Sequence, residues 1–150
     1  MDDLDLPHEV TLTVISVDEH LIEVEAVVGA GPWRGRARAY TVLQDIGAAA
    51  KGFQRFTDGA AAATEFAAGA DTGIGLVALR FYRIDRAGHI ACHIRLASGG
   101  VPTEHRPEEV ARLSVEVRTE AWAVGQFARQ LGEMARVKSG QASLAIEANG

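Results

Sequence analysis

Residues 74–98, IGLVALRFYRIDRAGHIACHIRLAS, decide the fold, because an alternation of period two runs on both sides of a polar break. After the break, Ile90, Cys92, Ile94 and Leu96 fall on one face, and His89, His93 and Arg95 on the other. That is the pattern of a half-buried strand. Before it, Val77, Leu79 and Phe81 alternate with Ala78, Arg80 and Tyr82. Pairing Arg83 with Ile90 sets Phe81 opposite Cys92, Leu79 opposite Ile94 and Val77 opposite Leu96. This register gathers every large apolar residue on one side, and a slip of one would expose them all. Asp85-Arg86-Ala87-Gly88 makes the turn, with Gly88 suited to a positive φ.

Working outward, a hairpin comes first. Val10, Leu12 and Val14 alternate with threonines, Asp18-Glu19-His20 turns the chain, and Ile22, Val24, Ala26 and Val28 return. Val14 is expected opposite Val24 and Leu12 opposite Ala26, around a three-residue loop. Gly29 to Trp33 breaks the strand, and in the next run Arg34, Arg36, Arg38 and Tyr40 share the face opposite Gly35, Ala37 and Ala39. The expected register pairs Glu25 with Arg36 and Glu23 with Arg38, which sets opposite charges side by side. The small inner residues imply a bulky neighbour, expected to be a helix carrying aromatics.

Thr41-Val42-Leu43-Gln44 fits a capping box, and Leu43, Ile46, Ala50, Phe53 and Phe56 recur at helical spacing to an end near Thr57-Asp58-Gly59. Ala60 to Ala70 is rich in alanine, which favours helix, but its place before the central hairpin favours a short edge strand. Gly99 to Glu109 reads as a polar, proline-containing loop. Leu113, Val115 and Val117 form a last strand. A second helix opens near Thr119 or Glu120, with Val124, Phe127, Ala128, Leu131, Met134 and Ala135 in one stripe. Residues 1–7 and 138–150 are expected to be loose ends, although Leu144-Ala145-Ile146 offers a docking point.

The expected fold is therefore α+β: one mainly antiparallel sheet of six to seven strands, with two helices packed on one face. At 150 residues the chain fits one domain. Val77, Leu79, Phe81, Ile94, Phe53, Phe127 and Leu131 are expected to share one core.

Composition narrows function mainly by exclusion. A net charge of −5 argues against general nucleic-acid binding and is compatible with a basic protein partner. The single cysteine rules out an internal disulfide or a multi-thiolate metal site, and Cys92 reads as buried filler. The N-terminus lacks a secretory pattern and no apolar run has membrane length, so a cytoplasmic protein without membrane contact is expected. His89 and His93 would lie roughly 13 Å apart on a strand, too far to share an ion. Gly29-Ala30-Gly31 leads into another strand, not the helix that a phosphate-binding loop needs. No catalytic motif, cofactor site or metal site is legible, so no enzymatic activity is expected.

The remaining candidates are surface groups. Arg34, Arg36, Arg38, Arg80, His93 and Arg95 are expected on the outer face with Tyr40 and Tyr82 among them. They form either a solvated patch neutralised by Glu23, Glu25 and Glu116, or a recognition surface, since Arg and Tyr are favoured at binding hot spots.

Three features, namely the helix entered from a strand over Arg38 to Phe56, the hairpin Leu79 to Leu96, and the strand-to-helix ending Leu113 to Met134, give a layout that resembles the WapI-type immunity proteins and related small bacterial families. The resemblance implies a protein that binds and neutralises a toxin, and it transfers no catalytic residue. The Ala/Gly-rich stretch Ala60 to Ala70 and the long loop before Leu113 depart from that pattern. The candidate partner-binding residues are Arg80, Tyr82, His93 and Arg95 on the sheet and Glu104, Glu108 and Glu109 in the loop, the acidic group suiting a basic toxin. The alternatives are a small-molecule-binding or regulatory domain with a ligand near Trp33 or Trp122, and an enzyme without a recognisable motif.

Overall fold

A computed structural model of the chain describes residues 8–19, 21–70, 75–98 and 106–147. Its strands are β1 (Glu9–Val17), β2 (Ile22–Ala30), β3 (Trp33–Thr41), β4 (Ala63–Gly69), β5 (Gly75–Arg83), β6 (Ile90–Ser98), β7 (Ala111–Thr119) and β8 (Gln141–Ala145). Helix α1 spans Leu43–Thr57 and α2 spans Ala121–Val137. The class is α+β. In place of one sheet there are two antiparallel sheets of four strands, ordered β3-β2-β1-β8 and β4-β5-β6-β7.

The reason for two sheets lies in β3. It does not pair with the later strands but packs across β4, β5 and β6. Its small inner residues therefore accommodate a second sheet rather than the expected helix. A side chain at Gly35 would run into Leu113 Cδ2 at 2.7 Å and Leu96 Cδ1 at 3.1 Å. At Gly75 the obstacle is backbone: an added Cβ would lie 2.0 Å from the Arg38 carbonyl oxygen. Gly75→Ala should therefore destabilise the protein by about 1–3 kcal/mol, the range for overpacking. Gly88→Ala offers the contrast, because Gly88 has φ 90° but open space around it. Denaturant midpoints of both variants check this, and a Gly75→Ala midpoint equal to that of the parent would refute the close approach.

The central hairpin forms as read: Arg83 pairs with Ile90, Phe81 with Cys92, Leu79 with Ile94 and Val77 with Leu96. Asp85 anchors its turn, accepting from the His89 backbone at 3.1 Å and meeting His89 Nδ1 at 2.5 Å. The His89 side chain holds the Asp85 carboxyl below its ordinary range. Val14 pairs with Val24 and Leu12 with Ala26, also as read, but a bulge between Val14 and Ser16 moves the last pair to Val17 and Ile22. The connection thereby gains one residue.

The β2–β3 register differs from the expected one by two. Glu25 pairs with Arg38 and Glu23 with Tyr40. The Glu25 carboxylate accepts from Arg38 Nε at 2.8 Å. The turn sets this register: Ala30 pairs with Trp33 across Gly31-Pro32, and Gly31 has φ 64°. Glycine first and proline second suit a two-residue hairpin turn. A shift of two keeps each side chain on its face, which is why the face assignment survived.

The capping box does not form. Thr41 is held in β3 opposite Ile22, the helix N-cap is Val42 with no side-chain cap, and Thr41 Oγ1 is buried without a hydrogen-bond partner. The helix is held instead by burial of Ile46, Ala49, Ala50, Phe53 and Phe56. Ala60 to Ala70 does contain an edge strand, β4. The stretch after 138 is not loose throughout, since Ala142 and Leu144 of β8 are buried opposite Leu12 and Val10. Gln130 of α2 accepts the Ser143 backbone N–H at 2.7 Å, covering part of the β8 edge.

One buried cluster joins the inner faces of both sheets to both helices, and it includes all seven residues expected to share a core. Phe53 sits at its centre, edge-on to Phe81 at 4.9 Å and stacked on Phe127 at 6.1 Å.

Candidate functional site

The strand alternation that buries Val77, Leu79 and Phe81 turns Arg80 and Tyr82 outward, and the same parity on β6 exposes His93 and Arg95. Pairing aligns them with neighbours of complementary chemistry. One row across the second sheet reads Glu65, Arg80, His93, Glu116, the next reads Ala63, Tyr82, Ala91, Arg118, and the third Ala67, Ala78, Arg95, Ser114. The structure thus brings Arg80, Tyr82, His93 and Arg95 together on the outer face of β4-β5-β6-β7.

These side chains support one another. Tyr82 Oη donates to Glu116 Oε1, and the Arg80 guanidinium lies 4.9 Å from the centroid of the Tyr82 ring. His93 Nε2 and Ser114 Oγ are 2.8 Å apart. Arg95 Nη2 reaches Glu65 Oε2 at 4.0 Å. The exposed ion pair contributes little to stability. What the network supplies is orientation: an aromatic ring and two guanidinium groups held on a rigid sheet.

Of the acidic candidates, Glu108 and Glu109 lie in a single 3-10 turn, Pro107–Glu109, and both are exposed. Arg106 Nε stands 3.5 Å from Glu108 Oε2. Val110, next to the turn, packs on Leu76, Ala78 and Ala97, an apolar cluster on this same outer face. Glu108 and Glu109 are thereby placed toward the Leu76–Ala97 end of this face, the end away from Tyr82. Glu104 lies outside the described residues. Arg34, Arg36 and Arg38 belong to the other sheet, so the expected single basic patch is divided in two.

Sequence reasoning missed the His93–Ser114 contact and the neutralising role of Glu65. Both depend on which strands flank β5 and β6, which the alternation of a single strand does not encode. A hydroxyl hydrogen-bonded to an imidazole is the first half of a nucleophilic constellation. Here it lies on an open sheet face, and the described contacts place no carboxylate on the His93 Nδ1. Cys92 is buried beneath the same strand, and burial pushes its thiol well above the ordinary range, which leaves it unreactive. Among the described residues no group of three His, Cys, Asp or Glu side chains is placed to hold a metal.

A half-open cleft of about 600 Å³ lies where the β1–β2 turn meets the start of α1, lined by residues that include Asp18, Glu19, Ile22, Leu43 and Lys138. Trp33 and Trp122, 58% and 60% exposed, do not line it. No helix among the described residues is long and apolar enough to cross a membrane. No protein-family model, curated protein or solved structure matches the chain.

Proposed function

We propose that the protein is an immunity-like binding protein, which neutralises a partner protein by docking the outer face of β4-β5-β6-β7 against it. The observation that carries this reading is the convergence of Arg80, Tyr82, His93 and Arg95 on one sheet face, with the helices and core on the other side. Tyr and Arg dominate binding hot spots because each combines a large contact area with directional donors. Here the Glu116 and Glu65 contacts reduce the ordering cost that docking would otherwise carry. The resemblance to WapI-type immunity proteins supports the same role.

Charge refines the expected partner. Arg80 and Arg95 stand at the centre of the face, whereas Glu108 and Glu109 stand at its margin. A basic toxin would be drawn by the margin and by the overall charge of −5, while presenting acidic or carbonyl groups opposite the arginines.

The test is affinity purification of the tagged protein from its host, with the parent and the Arg80→Glu/Arg95→Glu variant in parallel. A stoichiometric partner retained by the parent should bind the variant at least about 30-fold more weakly, the equivalent of one hot spot. Co-expression with the captured partner should then relieve its toxicity. A variant that binds as tightly as the parent would reduce the face to a solvated surface.

A further inference from the structure

The second sheet ends on one side at β4, whose outer backbone groups have no strand beside them. The Ala70 N–H donates to the Gly75 carbonyl oxygen at 3.0 Å. Hydrogen-bonded pairs alternate along an antiparallel ladder, and the β4–β5 register runs without a bulge, so Ala68, Phe66 and Thr64 also turn their backbone groups toward β5. The N–H and C=O groups of Ala63, Glu65 and Ala67 therefore point the other way. All three residues are exposed, and among the described residues no turn or cap takes up those groups.

The other three edges are guarded. β3 is crossed by the second sheet, β8 is partly covered by Gln130, and at β7 the Arg118 carbonyl oxygen accepts the Glu147 N–H at 2.8 Å. β7 also carries Arg112, Glu116 and Arg118, charges of the kind that discourage edge pairing. β4 has no proline, lysine or bulge. A cleft of about 260 Å³ runs beside it, lined by Glu65 and Ala67 of β4 and by Asp45, Ala48 and Ala49 of α1. From β4 it takes only residues whose backbone groups point outward, as an opening on the edge requires. The alanine side chains are small and leave the edge approachable. Two carboxylates line the cleft and no cation does. Asp45 has no ion pair among the described residues, and Glu65 meets Arg95 only at 4.0 Å, which leaves its carboxylate able to accept from a second donor.

We propose that the β4 edge is a strand-addition site for an extended basic segment of a partner protein. Main-chain hydrogen bonds to Ala63, Glu65 and Ala67 supply affinity, and lysine or arginine side chains beside Glu65 and Asp45 supply selectivity. A second copy of the chain fits less well, because pairing β4 with itself adds the copy's own Glu65 and Asp45 to a cleft that has no cation to answer them. The site goes beyond the docking face proposed above, since it works through backbone groups rather than through Arg80 and Arg95.

The probes are end-capped fluorescent peptides as long as β4, seven residues. One alternates valine with lysine, one alternates valine with glutamate, and the third is the lysine peptide with every amide N-methylated. Fluorescence anisotropy should show saturable binding of the lysine peptide to the parent. The other two should bind at least about tenfold more weakly, for the methylated peptide the loss expected from one or two hydrogen bonds. Ala67→Pro removes an edge N–H without touching the β5 ladder and should weaken the lysine peptide by a similar factor. Amide hydrogen exchange gives a readout in the parent alone: the lysine peptide should slow exchange at Ala63, Glu65 and Ala67. Equal binding of the lysine and methylated peptides would reduce the contact to charge and overturn the proposal. Absence of saturable binding, or protection only elsewhere, would overturn it too. So would a parent that is dimeric without peptide and monomeric as Ala67→Pro, because the occupant would then be a second copy. The Arg80→Glu/Arg95→Glu variant keeps this edge and should bind the lysine peptide at least as tightly as the parent, so the docking face and the edge fail separately.

Discussion

Leu79→Asp is expected to cost about 5 kcal/mol or more, and Arg80→Asp below about 1 kcal/mol, although the two residues are neighbours on one strand. Leu79 is fully buried, between Phe66 on β4 and Ile94 on β6. Aspartate there would remove a packed side chain and leave a carboxylate without partner or water. The protein would have to bury the charge, protonate it or unfold. Total stabilities of domains are about 5–15 kcal/mol, so the variant should be largely or wholly unfolded. Arg80 lies in solvent between Glu65 and His93. Its replacement forfeits the contact with Tyr82 and sets a new negative charge beside Glu65, both of them modest terms in water. Denaturant unfolding of the two variants is the check. Equal losses would overturn the assignment of one inner and one outer face to this sheet.

That contrast also explains which parts of the fold were legible in the sequence. Wherever one face of a strand is buried, the apolar residues must alternate, a slip of one would expose them all, and among the remaining registers the one that sets large apolar residues opposite one another packs best. Leu79 with Ile94 and Leu12 with Ala26 were legible for this reason. The β2–β3 register was not, because Gly35, Ala37 and Ala39 are small and a slip of two costs them little contact. There the conformation of Gly31-Pro32 decides, and the Glu25–Arg38 pair follows from it. The number of sheets was hidden for a related reason. A small inner face signals that something lies close, but not whether a helix or a sheet supplies it. Nor does a five-residue strand at 141–145, with two buried side chains, carry enough alternation to announce that it completes the first sheet.

The site was partly legible. Arg80, Tyr82, His93 and Arg95 share a face because strand parity dictates it. Their division from Arg34, Arg36 and Arg38 could not be read, since it depends on the break between sheets. That break sets Leu96 and Leu113 of the second sheet against Gly35 of the first, a juxtaposition of residues far apart in sequence that no motif records.

The same long-range logic applies to the core, where Phe53→Ala should destabilise by about 3–5 kcal/mol. Phe53 is fully buried and touches both the second sheet and α2, with its ring 4.9 Å from that of Phe81 and 6.1 Å from that of Phe127. Truncation would leave a void bordered by two rings that other groups hold in place. Phe56 restricts Phe81 from the next turn, 6.3 Å away, and is itself covered by Arg83, whose guanidinium lies 4.3 Å from the Phe56 ring centroid and whose Nη2 donates to the Phe56 carbonyl oxygen at 2.8 Å. The site therefore has little freedom to collapse, which puts the cost toward the upper end of the range. Because Phe53 and Phe127 share a stacked contact, their alanine variants should not add: the double variant should lose about 0.5–1.5 kcal/mol less than the sum of the single losses. Strict additivity in a denaturant-based double-mutant cycle would mean that the two helices do not share packing through these rings, and the single core joining both sheets to both helices would have to be redrawn.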